Sequence, residues 1–516
     1  MDFRIFLACL AAGIVASLLA VVKNMHMFQL NSYKPGMHCN WILRNIPKFG
    51  TQIFAALLVI PTFFLNHIAI PIALSGTFLL FCWLNKPAKT AKKPIVYTSR
   101  VKRMLATVAI LLAGGTALSY FITAPCNFIA ILVIYALTPL APLVANLINA
   151  PIEALVRRRY INEAKKILRS HPNLLTIGIA GSYGKTSVKF YLSTLLKAKY
   201  NVLMTPESYN TPMGIVKTIR EQLRSTHEVF VCEMGERQRG DVKELCDIVF
   251  PQHGILTSIG EQHLETFKTL ENVRKTIFEL ADSVADKGVA LLNGDNEQIR
   301  SNLPNQPYKT YGLNEHNNFR AYDIRVTQDG TTFSLKYDNE VIENLQTPLI
   351  GEHNVVNLAG VIGMSLLLGV SSDDIRVRLK KITPPPHRLQ LRKHNGVTII
   401  DDSYNSNPNG CEAALKTLAL FDGCKILITP GMVELGTKQD ECNFEFGIKA
   451  AAACDYVILV GEKQTKPIFD GLQSAGYEQS KIFVADSFNT AISKAYSLET
   501  DRDKVILLEN DLPDNY

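Results

Sequence analysis

A chain of 516 residues is longer than one hydrophobic core usually organises and predicts two to four domains. Its formal net charge of +7 comes without a basic stripe interleaved with aromatics, which argues against a nucleic-acid partner. The 10 cysteines are scattered, with no C-x-x-C pair. That argues against zinc and against a thioredoxin-like site, and reduced, buried thiols place the soluble part in the cytoplasm.

Apolar residues crowd the first 150 positions, in stretches at 5–22, 53–65, 68–84, 104–122 and 128–148. A hydrocarbon core needs roughly 17–25 apolar residues in a helix, so residues 1–150 predict an α-helical membrane domain with one span per stretch. The second and third stretches are short and meet at Asn66-His67, as a tight hairpin or a re-entrant element does. No small-residue cleavage site follows the first stretch, so it reads as an anchor rather than a signal peptide. Lys23, Lys34, Arg44 and Lys48 fill the first connection, and Lys86, Lys89, Lys92, Lys93, Arg100, Lys102 and Arg103 fill the third. The second connection and the one near Pro125 carry neither Lys nor Arg. The excess of positive charge puts the basic connections, and the return at Arg157-Arg158-Arg159, in the cytoplasm. No acidic residue lies within the stretches, so anchoring in membrane lipid, rather than ion passage, is the expected role.

Residues 151–172 read as a charged linker helix. The apolar, β-branched run at 174–180 predicts a buried strand. It opens into Gly181-Ser182-Tyr183-Gly184-Lys185-Thr186-Ser187, followed by a helical run at 188–196. Strand, glycine loop, Lys-Thr and helix are the context of a phosphate-binding loop. Glycines there let backbone N–H groups approach phosphate oxygens, and the helix start adds a favourable field. In that reading Lys185 bridges the outer phosphates of ATP and the Thr186 hydroxyl holds Mg²⁺. The common G-x-x-x-x-G-K-[ST] spacing is not met, because Gly178 lies one residue too far upstream. An ordinary strand-to-helix turn therefore stays open at this point.

Two further strands follow. One covers 229–235 and carries Glu233; the other covers 255–265 and ends at His263. A carboxylate and an imidazole at strand ends beside a phosphate loop suit a metal that bridges ATP and substrate. Taken singly, Glu233 also fits a helix cap and His263 a structural histidine. Residues 321–349 alternate apolar and polar around Asp329-Gly330 and Asp338-Asn339, as strands of a β insertion do. Pro384-Pro385-Pro386 stops any helix and marks a domain boundary. Beyond it, strand–helix alternation through 457–460, 482–484 and 505–508 suits a small Rossmann-like domain.

In its glycine loop and in the ordered series of motifs after it, the soluble half resembles the Mur ligases. The resemblance implies a P-loop central ATPase domain with a parallel sheet at 173–383 and a C-terminal Rossmann-like domain at 384–516. By that likeness Glu233 and His263 bind a second Mg²⁺, and Asn210, in Ser208-Tyr209-Asn210-Thr211, touches metal and substrate. Gly351-Glu352-His353-Asn354-Val355-Val356-Asn357 matches a G-x-H-N-x-x-N signature whose first Asn, Asn354, reads adenine, with Asn357 completing the motif. Arg388 closes onto the phosphates from the C-terminal domain. Asp401-Asp402-Ser403-Tyr404-Asn405-Ser406-Asn407-Pro408 is most typical of the D-alanyl-D-alanine-adding branch, where Asp402 grips the nucleotide and Tyr404 and Asn405 line the cleft.

Two features depart from the pattern. A membrane domain stands where the family has a UDP-sugar-binding domain. The K-x-E-[IL] setting of a carbamylated lysine reads Ile277-Phe278-Glu279-Leu280, with Lys275 two residues earlier. The resemblance implies ATP-driven amide formation through an acyl phosphate, joining an amino acid or dipeptide to a cell-wall or lipid-linked acceptor. Lys185, Glu233, His263 and Arg388 are the expected catalytic groups. A poly-γ-glutamate or capsule-type peptide ligase, and a membrane-tethered nucleotide sensor without catalysis, are the rival readings.

Overall fold

The structure is a computed structural model. It describes the chain except residues 1–2, 63, 65–68, 86–93, 123–125, 208, 263, 305–306, 395, 405, 434 and 512–516. The chain divides into two compact units, Met1–Arg158 and Arg159–Leu512.

The first unit is helical: α1 (Phe3–Leu30), α2 (Pro35–Arg44), α3 (Gly50–Thr62), α4 (Ala69–Leu84), α5 (Ser99–Tyr120), α6 (Cys126–Ala136) and the start of α7 (Ala141–Arg169). Among the described residues, three helices are long and apolar enough to cross a membrane, namely Leu7–Leu30, Ser99–Ser119 and Thr138–Arg169. Ile46–Thr62, Ala69–Leu84 and Cys126–Ala136 are apolar but shorter. Of the five stretches expected as spans, the second and third are thus among the shorter helices, as their lengths in the sequence imply. The stretch 128–148 is not one helix: α6 stops at Ala136, a 3₁₀ turn occupies Thr138–Leu140, and α7 begins afresh at Ala141. Pro139 has no N–H to give the Tyr135 carbonyl, and its ring crowds that turn. The Thr138 hydroxyl donates to the Tyr135 carbonyl instead, at 2.7 Å. Asn66, His67, Pro125 and the four lysines at 86–93 lie outside the described residues.

One polar chain ties the shorter helices together at one end. Asn85, after α4, donates to Tyr135 Oη at 2.8 Å, and Tyr135 Oη donates to Thr51 Oγ1 in α3 at 2.9 Å. Tyr135 also stacks on Phe81, with ring centroids 4.7 Å apart.

The second unit is α/β. Its larger sheet has nine strands in the order β2-β3-β1-β4-β5-β6-β7-β8-β9. These are β1 (Leu175–Ala180), β2 (Val202–Met204), β3 (Val229–Glu233), β4 (His253–Leu256), β5 (Ala290–Asn293), β6 (Tyr308–Gly312), β7 (Phe319–Thr327), β8 (Gly330–Tyr337) and β9 (Glu340–Thr347). Neighbours through β7 pair parallel, and β7-β8-β9 form an antiparallel insertion. The continuous apolar runs of β1 and β3 follow from helices covering both faces. On one face Ile177 and Ile179 pack with Val188, Leu192, Leu358 and Ile362; on the other Ala180 and Phe230 pack with Ile277 and Leu280. From β1 the chain runs out to β2, returns to β3 beside β1, and then crosses to β4 on the other side of β1. The carboxyl end of β1 is therefore a topological switch point, where such sheets bind ligands.

The strand expected over 255–265 ends at Leu256. The segment after it turns away to bond the glycine loop, with Ser258 O accepting from the Ser182 N–H at 2.7 Å.

The smaller sheet has six strands in the order β10-β11-β15-β12-β13-β14. They are β10 (Gln390–His394), β11 (Val397–Asp402), β12 (Cys424–Thr429), β13 (Tyr456–Val460), β14 (Ile482–Ala485) and β15 (Lys504–Glu509). All pairs are parallel except β10–β11, which gives the Rossmann-like layer that the strand–helix alternation implies.

Candidate active site

The site begins where β1 runs into α8 (Lys185–Leu196). Gly181 has φ +144° and Gly184 φ +83°. A Cβ on Gly181 would lie 2.1 Å from Thr257 Oγ1, so both conformation and space demand glycine there. The loop is braced from the side: Tyr183 N–H donates to Ser258 Oγ at 3.1 Å, and Gly260 N–H to Ser182 Oγ at 3.1 Å. The amides of Ser182 and Tyr183 are thus committed to Ser258. The amides at the start of α8, of Lys185, Thr186 and Ser187, have no intrahelical carbonyl to satisfy them, the arrangement that suits an anion.

Lys185 Nζ donates to the Gly181 carbonyl and to Glu236 Oε1, the latter at 2.9 Å. One residue on, Thr186 Oγ1 donates to Glu233 Oε1 at 3.2 Å. Asn210 Nδ2 donates to the same oxygen at 3.1 Å, and the Glu233 N–H donates to Thr205 Oγ1 at 3.2 Å. Asn210 stands just ahead of the helix Pro212–Gln222, whose first turn is capped by Thr211 Oγ1 at 3.3 Å from the Gly214 N–H. Lys189, one turn further along α8, is fully buried with Nζ 2.9 Å from Glu233 Oε2.

The hydroxyl of Thr186 and the carboxylate of Glu233 form a hard, oxygen-only donor pair of the kind Mg²⁺ prefers. His263 lies outside the described residues, as does Asn405. Among the described residues, no group of three or more His, Cys, Asp or Glu side chains is arranged to hold a metal.

The two asparagines of the G-x-H-N-x-x-N signature are placed differently. Asn357 lies against the glycine loop, its Oδ1 3.0 Å from where a Gly184 Cβ would stand. Asn354 is buried, accepting from Tyr191 Oη at 2.9 Å and donating to the Ile350 carbonyl at 2.9 Å. Those bonds use half of what its amide offers. Burial pushes the neighbouring His353 down to about 4, so its ring is neutral near pH 7.

The C-terminal domain adds a second cluster. The Arg388 guanidinium lies 4.4 Å over the Tyr404 ring. Asp402, at the end of β11, accepts the Leu389 N–H at 3.1 Å. Burial raises the Asp402 carboxyl to about 6, against the opposing pull of Arg388. Both groups act electrostatically on Tyr191 of α8, which puts the cluster beside the helix that follows the loop. Asp401 is instead fixed by His387 Nδ1 at 2.9 Å and Arg392 Nη2 at 3.1 Å. Across the sheet Asp402 pairs in register with Glu509. Glu509 is fully buried, accepts from Ser406 Oγ at 2.7 Å, and is pushed well above the carboxylate range by that burial.

Sequence reasoning missed Lys189 and Glu236. A signal for Lys189 was present, since it falls on the apolar face of α8 between Val188 and Leu192. At the departure from the K-x-E-[IL] setting, Ile277 is buried in the apolar core, and Lys275 is at the surface with Nζ 2.7 Å from Glu271.

Family models match the chain twice, a Mur ligase middle domain over residues 179–365 and a Mur ligase, glutamate ligase domain over residues 387–509. The chain is 30% identical over 275 residues to the UDP-N-acetylmuramoyl-tripeptide–D-alanyl-D-alanine ligase of Bacillus subtilis, covering 52% of this chain and 59% of that one. It is 29% identical over 293 residues to the Escherichia coli enzyme of the same name, covering 56% and 64%. The chain thus spans about three-fifths of the length of these relatives. Among solved structures, the MurF ligase of Thermotoga maritima in complex with ADP superposes with a TM-score of 0.61 at 24% identity, covering 69% of this chain and 80% of that one. That likeness supports the fold. With two successive domains of the family matched over more than half of its length, the chain belongs to the Mur ligases.

Proposed function

We propose that the protein is a membrane-anchored, ATP- and Mg²⁺-dependent carboxylate–amine ligase. It joins an amino acid or dipeptide, D-alanyl-D-alanine by its curated relatives, to the peptide of a UDP- or lipid-linked cell-wall precursor. One observation carries the reading: Lys185, Thr186 and Glu233 converge at the switch point of the larger sheet, within hydrogen-bonding reach of one another or of Glu236.

An oxygen of the acceptor carboxylate attacks the γ-phosphorus of ATP, the bond to the bridging oxygen breaks, and ADP leaves. The incoming amine then attacks the acyl carbon of the resulting acyl phosphate, loses a proton, and expels inorganic phosphate. Lys185 and Arg388 supply positive charge where phosphoryl oxygens gather, the dominant contribution in such transfers. Thr186 and Glu233 would hold Mg²⁺, which when bound neutralises phosphate charge. Asn210 orients Glu233. Arg388, steered by Asp402 and stacked on Tyr404, closes the cleft from the C-terminal domain. The glycine loop, with Gly181, Ser182, Tyr183 and Gly184, shapes the cradle, and Asn357 lines it.

The first unit supports insertion of the chain into a membrane several times. Its helices turn large apolar side chains outward, with Ile110 72% and Leu147 76% exposed, an arrangement suited to lipid rather than water. The chain Asn85–Tyr135–Thr51 joins the ends of α3, α4 and α6 nearest the basic connections. It fits a short hairpin that enters from, and returns to, the cytoplasmic face.

Isotope transfer tests the reaction. With ¹⁸O in the acceptor carboxylate, one ¹⁸O atom should appear in each phosphate released. Unlabelled phosphate would refute the acyl-phosphate route.

A further inference from the structure

The two oxygens of Glu233 have different partners. Oε1 accepts from Thr186 Oγ1 at 3.2 Å and from Asn210 Nδ2 at 3.1 Å. Oε2 faces the Lys189 ammonium at 2.9 Å, in a pair whose side chains are 0% and 2% exposed. Burying an ammonium is costly unless it is paired and hydrogen-bonded. A lysine in the apolar face of α8 therefore calls for a reason beyond packing. The contact with Oε2 is an ion pair, and the ammonium's hydrogen bond runs to the Glu207 carbonyl. Glu207 takes φ +39°, a conformation uncommon outside glycine, at the point where it delivers that carbonyl. Lys189 is held from two sides with its charge on Glu233.

The neighbouring pair, Lys185 and Glu236 at 2.9 Å, is also balanced. The two ion pairs at the loop thus carry no net charge. The helix Leu270–Ala281 adds no anionic ligand from positions 275 or 277, because Ile277 is buried in apolar surroundings and Lys275 pairs with Glu271. A second divalent ion placed on Glu233 would share it with an ammonium already seated there, and like charges a few ångströms apart in a buried site repel strongly.

Resting on the nucleotide-site reading above, we propose that the Lys189 ammonium is a built-in cation. It occupies Oε2 of Glu233, leaves Oε1 for one divalent ion, and limits the nucleotide-loaded chain to a single Mg²⁺. Lys189 is then a positioning residue, acting through Glu233.

The test counts metal rather than turnover. The full-length chain in detergent micelles is saturated with a non-hydrolysable ATP analogue and titrated with Mn²⁺, and bound ions are counted by electron paramagnetic resonance. One Mn²⁺ per bound nucleotide is expected for the wild type; two would overturn the proposal whatever the variants do. Lys189→Met removes the competing charge and frees both oxygens of Glu233. Its Mn²⁺ affinity should rise by at least about tenfold, a low figure for removing one close like charge, or a second ion should bind. Lys189→Arg keeps the charge and should keep the single ion at near wild-type affinity. Unchanged or weaker Mn²⁺ binding in a folded Lys189→Met protein would show that Lys189 only packs. Failure of the wild type to bind the analogue at all is a separate result, seen before any metal is added, and it would remove the nucleotide-site reading itself.

Discussion

Lys185 and Glu236 form an ion pair 2.9 Å long in which the carboxylate is 2% exposed. A phosphate oxygen that takes the Lys185 ammonium must therefore displace a buried carboxylate. In Glu236→Gln that competitor is neutral, so ATP affinity should rise by about tenfold, the scale of one charge-assisted hydrogen bond. Titration calorimetry reads this directly, and weaker binding would assign Glu236 a supporting role instead. In Lys185→Ala the amide-forming rate should fall at least ~10²-fold, the usual loss for one key electrostatic group.

Bicarbonate should have no effect on activity. Ile277 is buried among apolar side chains and Lys275 faces solvent on Glu271, so neither residue can present a carbamate to Glu233. Lys275→Ala should match the wild type in its Mg²⁺ requirement. Ile277→Lys should instead destabilise the fold, because it buries an unpaired ammonium. Assays in bicarbonate-free and bicarbonate-supplemented buffer, with thermal melts of both variants, check these outcomes.

Stability should depend on pH through Asp402. Its folded carboxyl titrates at about 6, raised by burial from 3.8. The folded state therefore holds the proton more tightly than the unfolded one. This contribution is complete below about pH 4 and is lost as pH rises through about 6. Asp402→Asn removes that loss and should flatten the melting temperature between those values. A variant with the same slope as the wild type would place the titration elsewhere, with buried Glu509 the next candidate.

Cys39 and Cys126 are both exposed, and the proposed topology puts them on opposite sides of the membrane. A membrane-impermeant thiol reagent on intact cells should modify Cys126 and spare Cys39, and a reporter fused after Arg159 should be cytoplasmic. Labelling of Cys39 from outside would reverse the orientation.

Much of the site was legible because its parts are contiguous. Residues 174–187 announce a strand, a turn that needs glycine and a helix start, all within a few residues. Lys189 and Glu236 were not legible in that way, because their partners lie far along the chain and only the parallel sheet brings them together. Asn354 shows the converse: its signature is local, yet its amide is engaged by Tyr191 and Ile350 inside the fold. In the N-terminal helical unit, apolar length alone suggested a span over 128–148. Pro139 breaks it, a feature that hydropathy averages out.

In the proposed function, the site built on Lys185, Thr186 and Glu233 couples ATP cleavage to amide formation. The most direct measurement is phosphate release by the full-length chain in membranes or micelles. ATP and Mg²⁺ are supplied with a muramoyl-tripeptide acceptor, UDP- or lipid-linked, and D-alanyl-D-alanine, each substrate being left out in turn. Release should require both acceptor and amine, match product formed, and be abolished in Lys185→Ala. Release that ignores either substrate, or that survives in Lys185→Ala, would rule out coupled amide formation at this site.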